Sequence, residues 1–207
     1  MKKLLPTIIG VITLVVLAGA IAFFQPWKRF LDTPLLSPGT ALTVNLMRGK
    51  AEVYLDDKKV GETPFSSEDL EPGDHTLELR RMSEEQDFYI TISKQVHLEP
   101  NTRTLIEAEI GPDEQFSSYN VIYYRKRTSA EASVYVKTTP SKAEVTVDDL
   151  NFGDSPVSND TLSPGKHEIV VSKEGYQDEQ ATFIVREGYT LIAEFDLMAK
   201  PIDLEQE

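Results

Sequence analysis

The stretch Ala51-Glu52-Val53-Tyr54-Leu55-Asp56-Asp57 returns as Ala143-Glu144-Val145-Thr146-Val147-Asp148-Asp149, an offset of 92 residues. The same offset carries Gly61 to Gly153, Pro64 to Pro156, Pro72-Gly73 to Pro164-Gly165 and His75 to His167. Backward it carries Leu42, Val44 and Leu46 to Val134, Val136 and Thr138. The matched residues are turn formers and alternating apolar residues, so a small fold has been duplicated rather than a catalytic site. Within each copy the apolar side chains alternate with polar ones, the period of a half-buried strand. Asp56-Asp57 and Asp148-Asp149 tolerate left-handed backbone angles, which predicts a hairpin turn before Gly61 or Gly153. Pro64 and Pro156 cannot donate to a ladder, so pairing is expected to stop or switch sheets there. Pro72-Gly73 and Pro164-Gly165 read as type II turns. Beyond residue 30 no helical periodicity is sustained, and strands of this length argue for small β-sandwiches.

The copies end in Thr104–Ile110 and Thr190–Leu197. Aligning Thr104-Leu105-Ile106 on Thr190-Leu191-Ile192 drops the offset to 86, which places six extra residues around 81–88 of the first copy. The expected organisation is an N-terminal transmembrane helix (1–24), a membrane-proximal linker (25–40) and a β-domain (41–110). An inter-domain linker (111–131), a second β-domain (132–198) and an acidic tail (199–207) follow. Intact turn chemistry in both copies predicts that the two domains fold independently. Val121-Ile122-Tyr123-Tyr124 is expected to supply an additional strand, if any does, to one of the sheets.

The order of apolar alternation, Ala-x-Val-x-Leu/Val-Asp, Gly-x-Thr/Ser-Pro and Leu-x-Pro-Gly-x-His resembles the PEGA domain family. The family's eponymous string is degenerate here, as Pro140-Ser141-Lys142-Ala143 and Arg48-Gly49-Lys50-Ala51, and Asp57 and Asp149 replace the usual turn glycine. Gly175-Tyr176 matches the family in the second copy and has no counterpart in the first. The resemblance covers about two-thirds of the chain. It implies a small extracytoplasmic β-sandwich, often repeated, on surface proteins or the outer part of membrane kinases. It implies no catalytic residues.

Leu4–Phe24 carries no charge. As a helix it is about 31 Å long, enough for a bilayer core of roughly 30 Å. Lys2 and Lys3 precede it, and Phe23, Phe24 and Trp27 suit an interfacial belt. The charge balance predicts a cytoplasmic N-terminus, with residues 4–24 in membrane lipid and both β-domains outside. Ala18-Gly19-Ala20 offers a signal-peptidase site, but the apolar run continues through Phe24, so an uncleaved anchor is expected and secretion after cleavage near Ala20 is the alternative. There is no cysteine, hence no disulfide and no lipidated cysteine.

The formal charge of −13 is shared equally, each copy carrying seven more acidic than basic side chains, which disfavours nucleic acid as a partner. Tyr123-Tyr124-Arg125-Lys126-Arg127 stands apart as a basic and aromatic run, a candidate contact for an envelope protein, a glycan or the neighbouring domain. Tyr176 and Tyr189 join Tyr123 and Tyr124 as candidates for stacking on sugar. His75 and His167 are expected to pack at strand edges without ligating, with Gly165 mattering more to stability than either. His97 has no spaced partner. The paired aspartates lack the alternating ligands of a calcium loop and read as turns. Asn159-Asp160-Thr161 is a formal glycosylation sequon. No catalytic constellation, cofactor or metal site is expected. The reading is a membrane-anchored, non-enzymatic display protein, structural or adhesive, with a carbohydrate-binding module or an accessory subunit of a membrane enzyme as alternatives.

Overall fold

A computed structural model describes residues 39–84 and 88–200. The expected transmembrane helix, most of the first linker and most of the tail lie outside the described residues. Among those described, no helix is long and apolar enough to cross a membrane.

The described residues are mostly β. The first copy contributes β1 (Ala41–Leu46), β2 (Ala51–Leu55), β3 (Lys58–Glu62), β4 (Phe65–Ser67), β5 (Gly73–Arg81), β6 (Ile92–Leu98) and β7 (Arg103–Glu109). The second contributes β9 (Ser133–Thr139), β10 (Glu144–Val147), β11 (Leu150–Asp154), β12 (Val157–Asn159), β13 (Gly165–Ser172), β14 (Glu179–Val185) and β15 (Tyr189–Asp196). Between them runs β8 (Ser118–Lys126). In each copy four strands form a small sheet, in the orders β3-β2-β5-β6 and β11-β10-β13-β14. The remaining three of each copy join β8 in one seven-stranded sheet, ordered β12-β9-β15-β8-β7-β1-β4.

The expected hairpins are present. Leu55 pairs with Lys58 and Val147 with Leu150, leaving two-residue turns. Asp56 and Asp57 take φ of 51° and 64°, and Asp148 and Asp149 take 48° and 64°. Two consecutive left-handed residues make a type I′ turn, whose twist matches that of the flanking strands. The two Pro-Gly segments differ from expectation. Gly73 and Gly165 do have positive φ, of 135° and 143°, but each opens a strand after a bend.

The expected linker is also different. Residues 118–126 pair antiparallel with β7 on one side and with β15 on the other, so the strand belongs to both copies. β1 runs parallel to β7, and β9 runs parallel to β15. The sets β4-β1-β7 and β12-β9-β15 are therefore related by a half-turn about an axis along β8. A half-turn about an in-plane axis exchanges the faces of a sheet, so the two small sheets must cover opposite faces. The cores follow that rule. Tyr119 and Val121 enter one core with Leu55, Leu77 and Leu98 of the first copy. Ile122 and Tyr124 enter the other with Val145, Ile169 and Phe183 of the second. The copies are thus not separate domains on a tether; they share a strand that alternates between two cores.

The pairings also correct the alignment at the ends of the copies. Leu42 lies beside Thr104, whereas its equivalent Val134 lies beside Leu191. Thr104 is therefore equivalent to Leu191, at an offset of 87, and the first copy carries five extra residues. A one-residue slip moves every side chain to the opposite face. The inward set is Thr104, Ile106, Ala108 and Ile110, matched by Leu191, Ala193, Phe195 and Leu197, all buried.

Candidate functional site

The run Tyr123–Arg127 does not form one surface. Tyr124 is fully buried, with its hydroxyl donating to the Ile184 carbonyl and its ring 5.4 Å from that of Tyr189. Tyr123 points to the opposite face and donates to Glu194 Oε1 at 3.2 Å. The Arg125 and Lys126 side chains are exposed, and the Lys126 amide reaches Glu99 Oε2 at 3.2 Å. Arg127 pairs with Asp160 at 3.1 Å. Tyr176 packs against the second core and bridges to Ala199. Of the four tyrosines considered for sugar, Tyr123 lines the groove at the junction of the copies and Tyr176 the far end of a wider cleft, whereas Tyr124 is buried.

The repeated histidines are clasps rather than plain packing. The first aspartate of each I′ turn accepts from histidine Nδ1, as Asp56–His75 and Asp148–His167, both at 2.6 Å. Its other oxygen accepts a backbone N–H, from Thr76 or Glu168, at 2.9 Å. Histidine Nε2 donates to the carbonyl of Glu71 or Ser163 at 2.8 Å. One ring thus ties the β2–β3 or β10–β11 hairpin to the segment before the next strand. Burial opposes charge on His75, but the Asp56 hydrogen bond and the Glu71 carbonyl outweigh it and raise its pKa; the same contact lowers that of Asp56. Asn159 of the sequon turns inward on its own loop, accepting from the Thr161 and Leu162 amides at 2.8 and 3.0 Å.

The groove at the junction of the copies was not expected. β6 is the edge of the first small sheet, and it overhangs the face of the seven-stranded sheet where β8, β15 and β9 lie side by side. The cavity between them measures about 230 Å³. Tyr119 and Tyr123 of β8 form its floor. Lys94 and His97 stand on the β6 wall, and Lys137, Glu194 and Asp196 on the wall of the second copy. Lys94 Nζ meets Asp196 at 3.1 Å and lies 5.6 Å from the Tyr119 ring centroid. Lys137 meets Glu194 at 3.5 Å. His97 meets Asp74 at 2.7 Å. A wider cleft of about 730 Å³ continues past Tyr119 and Thr139 toward Pro140 and Tyr176. Burial raises the Tyr119 phenol far above its ordinary value, helped by Glu194 and Asp196. Its hydroxyl is buried without a hydrogen-bond partner.

Chemically the groove offers alternating cations, carboxylates and hydroxyls over aromatic rings, which suits recognition of a polar chain. Among the described residues, no three His, Cys, Asp or Glu side chains gather as a metal site. Apart from Tyr123, the groove residues carried no sequence signal, because they lie far apart along the chain and meet only through β8. A family model described as PEGA domain matches residues 40–113 and 131–200. No curated protein matches the chain.

Proposed function

The chain belongs to the PEGA domain family through both of its copies, and from that premise we propose a membrane-anchored, extracytoplasmic, non-enzymatic binding protein of the cell envelope. Residues 4–24 hold it in lipid, and the paired copies form the displayed part. Its role is structural or adhesive, exerted through protein or glycan contacts in the junction groove. The observation that carries this reading is the composition of that groove. Lys94 of the first copy and Lys137, Glu194 and Asp196 of the second converge over Tyr119 and Tyr123. Binding there needs both copies in fixed relation, which a shared strand supplies and a flexible tether would not.

A glycan is the partner the groove favours over a peptide. Its walls present donors and acceptors of both charges above the half-buried Tyr123 ring. Sugar rings carry a hydroxyl on nearly every carbon and match such walls. The test uses the full chain in detergent or nanodiscs on a glycan array, beside capture from native membranes. Wild type should retain a glycan or envelope protein that the double variant Tyr123→Ala, Lys137→Ala loses while still melting cooperatively. Equal retention by both proteins refutes the groove. Recovery of the protein in the soluble fraction, with a mature mass beginning at Ile21, refutes the anchor.

A further inference from the structure

On the other face of β8 the two copies meet again, through acidic side chains. Glu107 of β7 lies directly beside Asn120 of β8, and Asn120 beside Phe195 of β15. Glu179, the first residue of β14, leans over this row from the second small sheet, where Asn120 Nδ2 donates to Glu179 Oε2 at 3.0 Å. Asn120 is 7% exposed, and its Oδ1 is buried with no hydrogen-bond partner. A buried amide oxygen without a partner is uncommon and points to a missing ligand. Glu107, Asn120 and Glu179 line one small pocket of about 20 Å³. That is room for a single water or small ion. Its polar lining is Glu107, Asn120, Glu179 and Gln180, backed by Leu105, Ile122, Ala181 and Phe195; among the described residues no Lys, Arg or His lines it.

We infer that Glu107, Glu179 and the Asn120 side-chain oxygen hold a hard divalent cation, Ca²⁺, that pins the second small sheet to the first copy. All three donors are oxygens, the set that suits Ca²⁺ or Mg²⁺ and not the thiophilic metals. They come from three separate strands, β7, β8 and β14. Ca²⁺ tolerates such irregular geometry and accepts bidentate carboxylates, whereas Mg²⁺ demands a near-ideal octahedron. The electrostatics agree. Burial, then the neighbouring Glu179 charge, pushes Glu107 up to about 7. Burial pushes Glu179 up to about 7 against the Asn120 hydrogen bond. Two carboxylates facing each other in a half-buried pocket take up protons more readily unless a cation replaces them.

The competing account is a carboxyl–carboxylate pair sharing a proton, with water on Asn120. Thermal melts of the full chain at about pH 8, with EDTA or with added Ca²⁺ or Mg²⁺, separate the two. A site with the affinity of extracellular modules, Kd about 0.1–1 mM, raises the melting temperature by about 3–6 °C at tenfold excess of Ca²⁺. Mg²⁺ should do less. At about pH 5.5 protons compete and the shift should shrink. Glu107→Gln and Glu179→Gln should each melt at or above the wild-type temperature in EDTA, since one of two buried like charges is gone. Each should lose the Ca²⁺ shift. Two variants are used so that a folding defect in one leaves the other to decide. No Ca²⁺ shift in the wild type overturns the inference, as does an equal shift in both variants. Stabilisation by acid alone, with no cation effect, assigns the pocket to a shared proton.

Discussion

Removing β8 from the second copy tests the shared strand most directly. The comparison is between residues 118–200 and residues 131–200. Both lack the first copy; they differ in the strand that pairs with β15 along Tyr189–Phe195. The shorter fragment loses the buried side chains of Tyr124 and Ile122 and the Tyr124 hydrogen bond to Ile184. Burying a large apolar side chain contributes roughly 1.5–3 kcal/mol, so the pair contributes about 3–6 kcal/mol. A unit of this size has a total stability of roughly 4–10 kcal/mol, so the loss consumes most of it. With an m-value of about 1.5–2 kcal/mol/M in urea, the unfolding midpoint should fall by about 1.5–4 M. Urea titrations followed by circular dichroism read this directly. We expect a cooperative transition for 118–200 and a marginal or unfolded 131–200. Midpoints agreeing within about 0.5 M would show that the second copy is self-sufficient and that β8 merely decorates it.

Three further outcomes follow from the bends and the clasps. Gly165→Val should cost about 1–3 kcal/mol from backbone strain alone, because φ is +143° and nothing lies within 4 Å of an added Cβ. His167→Ala should cost a similar amount, since it strips partners from Asp148 and the Ser163 carbonyl; a silent His167→Ala in melting experiments would restore the simple packing role. His75 titrates above its ordinary value because the Asp56 carboxylate and Glu71 carbonyl outweigh burial. A raised folded-state pKa means its stabilisation is complete below about pH 6.5 and is lost as pH rises through the folded value. NMR titration of the ring should show this, and Asp56→Asn should bring the value down.

Much of this fold was legible because turns repeat as residue identities. The Asp-Asp pairs announced their hairpins, and Val53, Val145 and their neighbours announced their buried faces. For β8 the sequence offered Val121–Tyr124 as an added strand for one sheet, but its pairing with both copies escaped, because Tyr119-Asn120-Val121-Ile122-Tyr123-Tyr124 does not alternate. A strand buried on both faces reads as a near-continuous apolar run, and this one occurs once, outside the repeat. The slip between β7 and β15 escaped for a different reason. Thr104-Leu105-Ile106 and Thr190-Leu191-Ile192 look alike, but pairing with β1 and β9 decides which face each residue takes. That slip also hid Glu107, which lies on the face turned away from its own core and toward Glu179 of the second copy. The groove was illegible in principle, since Lys94 and Asp196 meet only after the whole sheet has assembled.

The parallel pairing of β1 with β7 has a mechanical consequence. β1 and β15 point the same way, so the chain enters the central sheet at one end, at Ala41, and leaves it at the other, past Asp196. Tension between the two termini therefore runs along the strands. The hydrogen bonds joining β1 to β7, and those flanking β8, are loaded in shear and must yield together rather than peel one by one. Rupture under load then depends on the unfolding barrier rather than on equilibrium stability. A protein tethered at its N-terminus and gripped by its distal end would meet the pull along its stiffest direction.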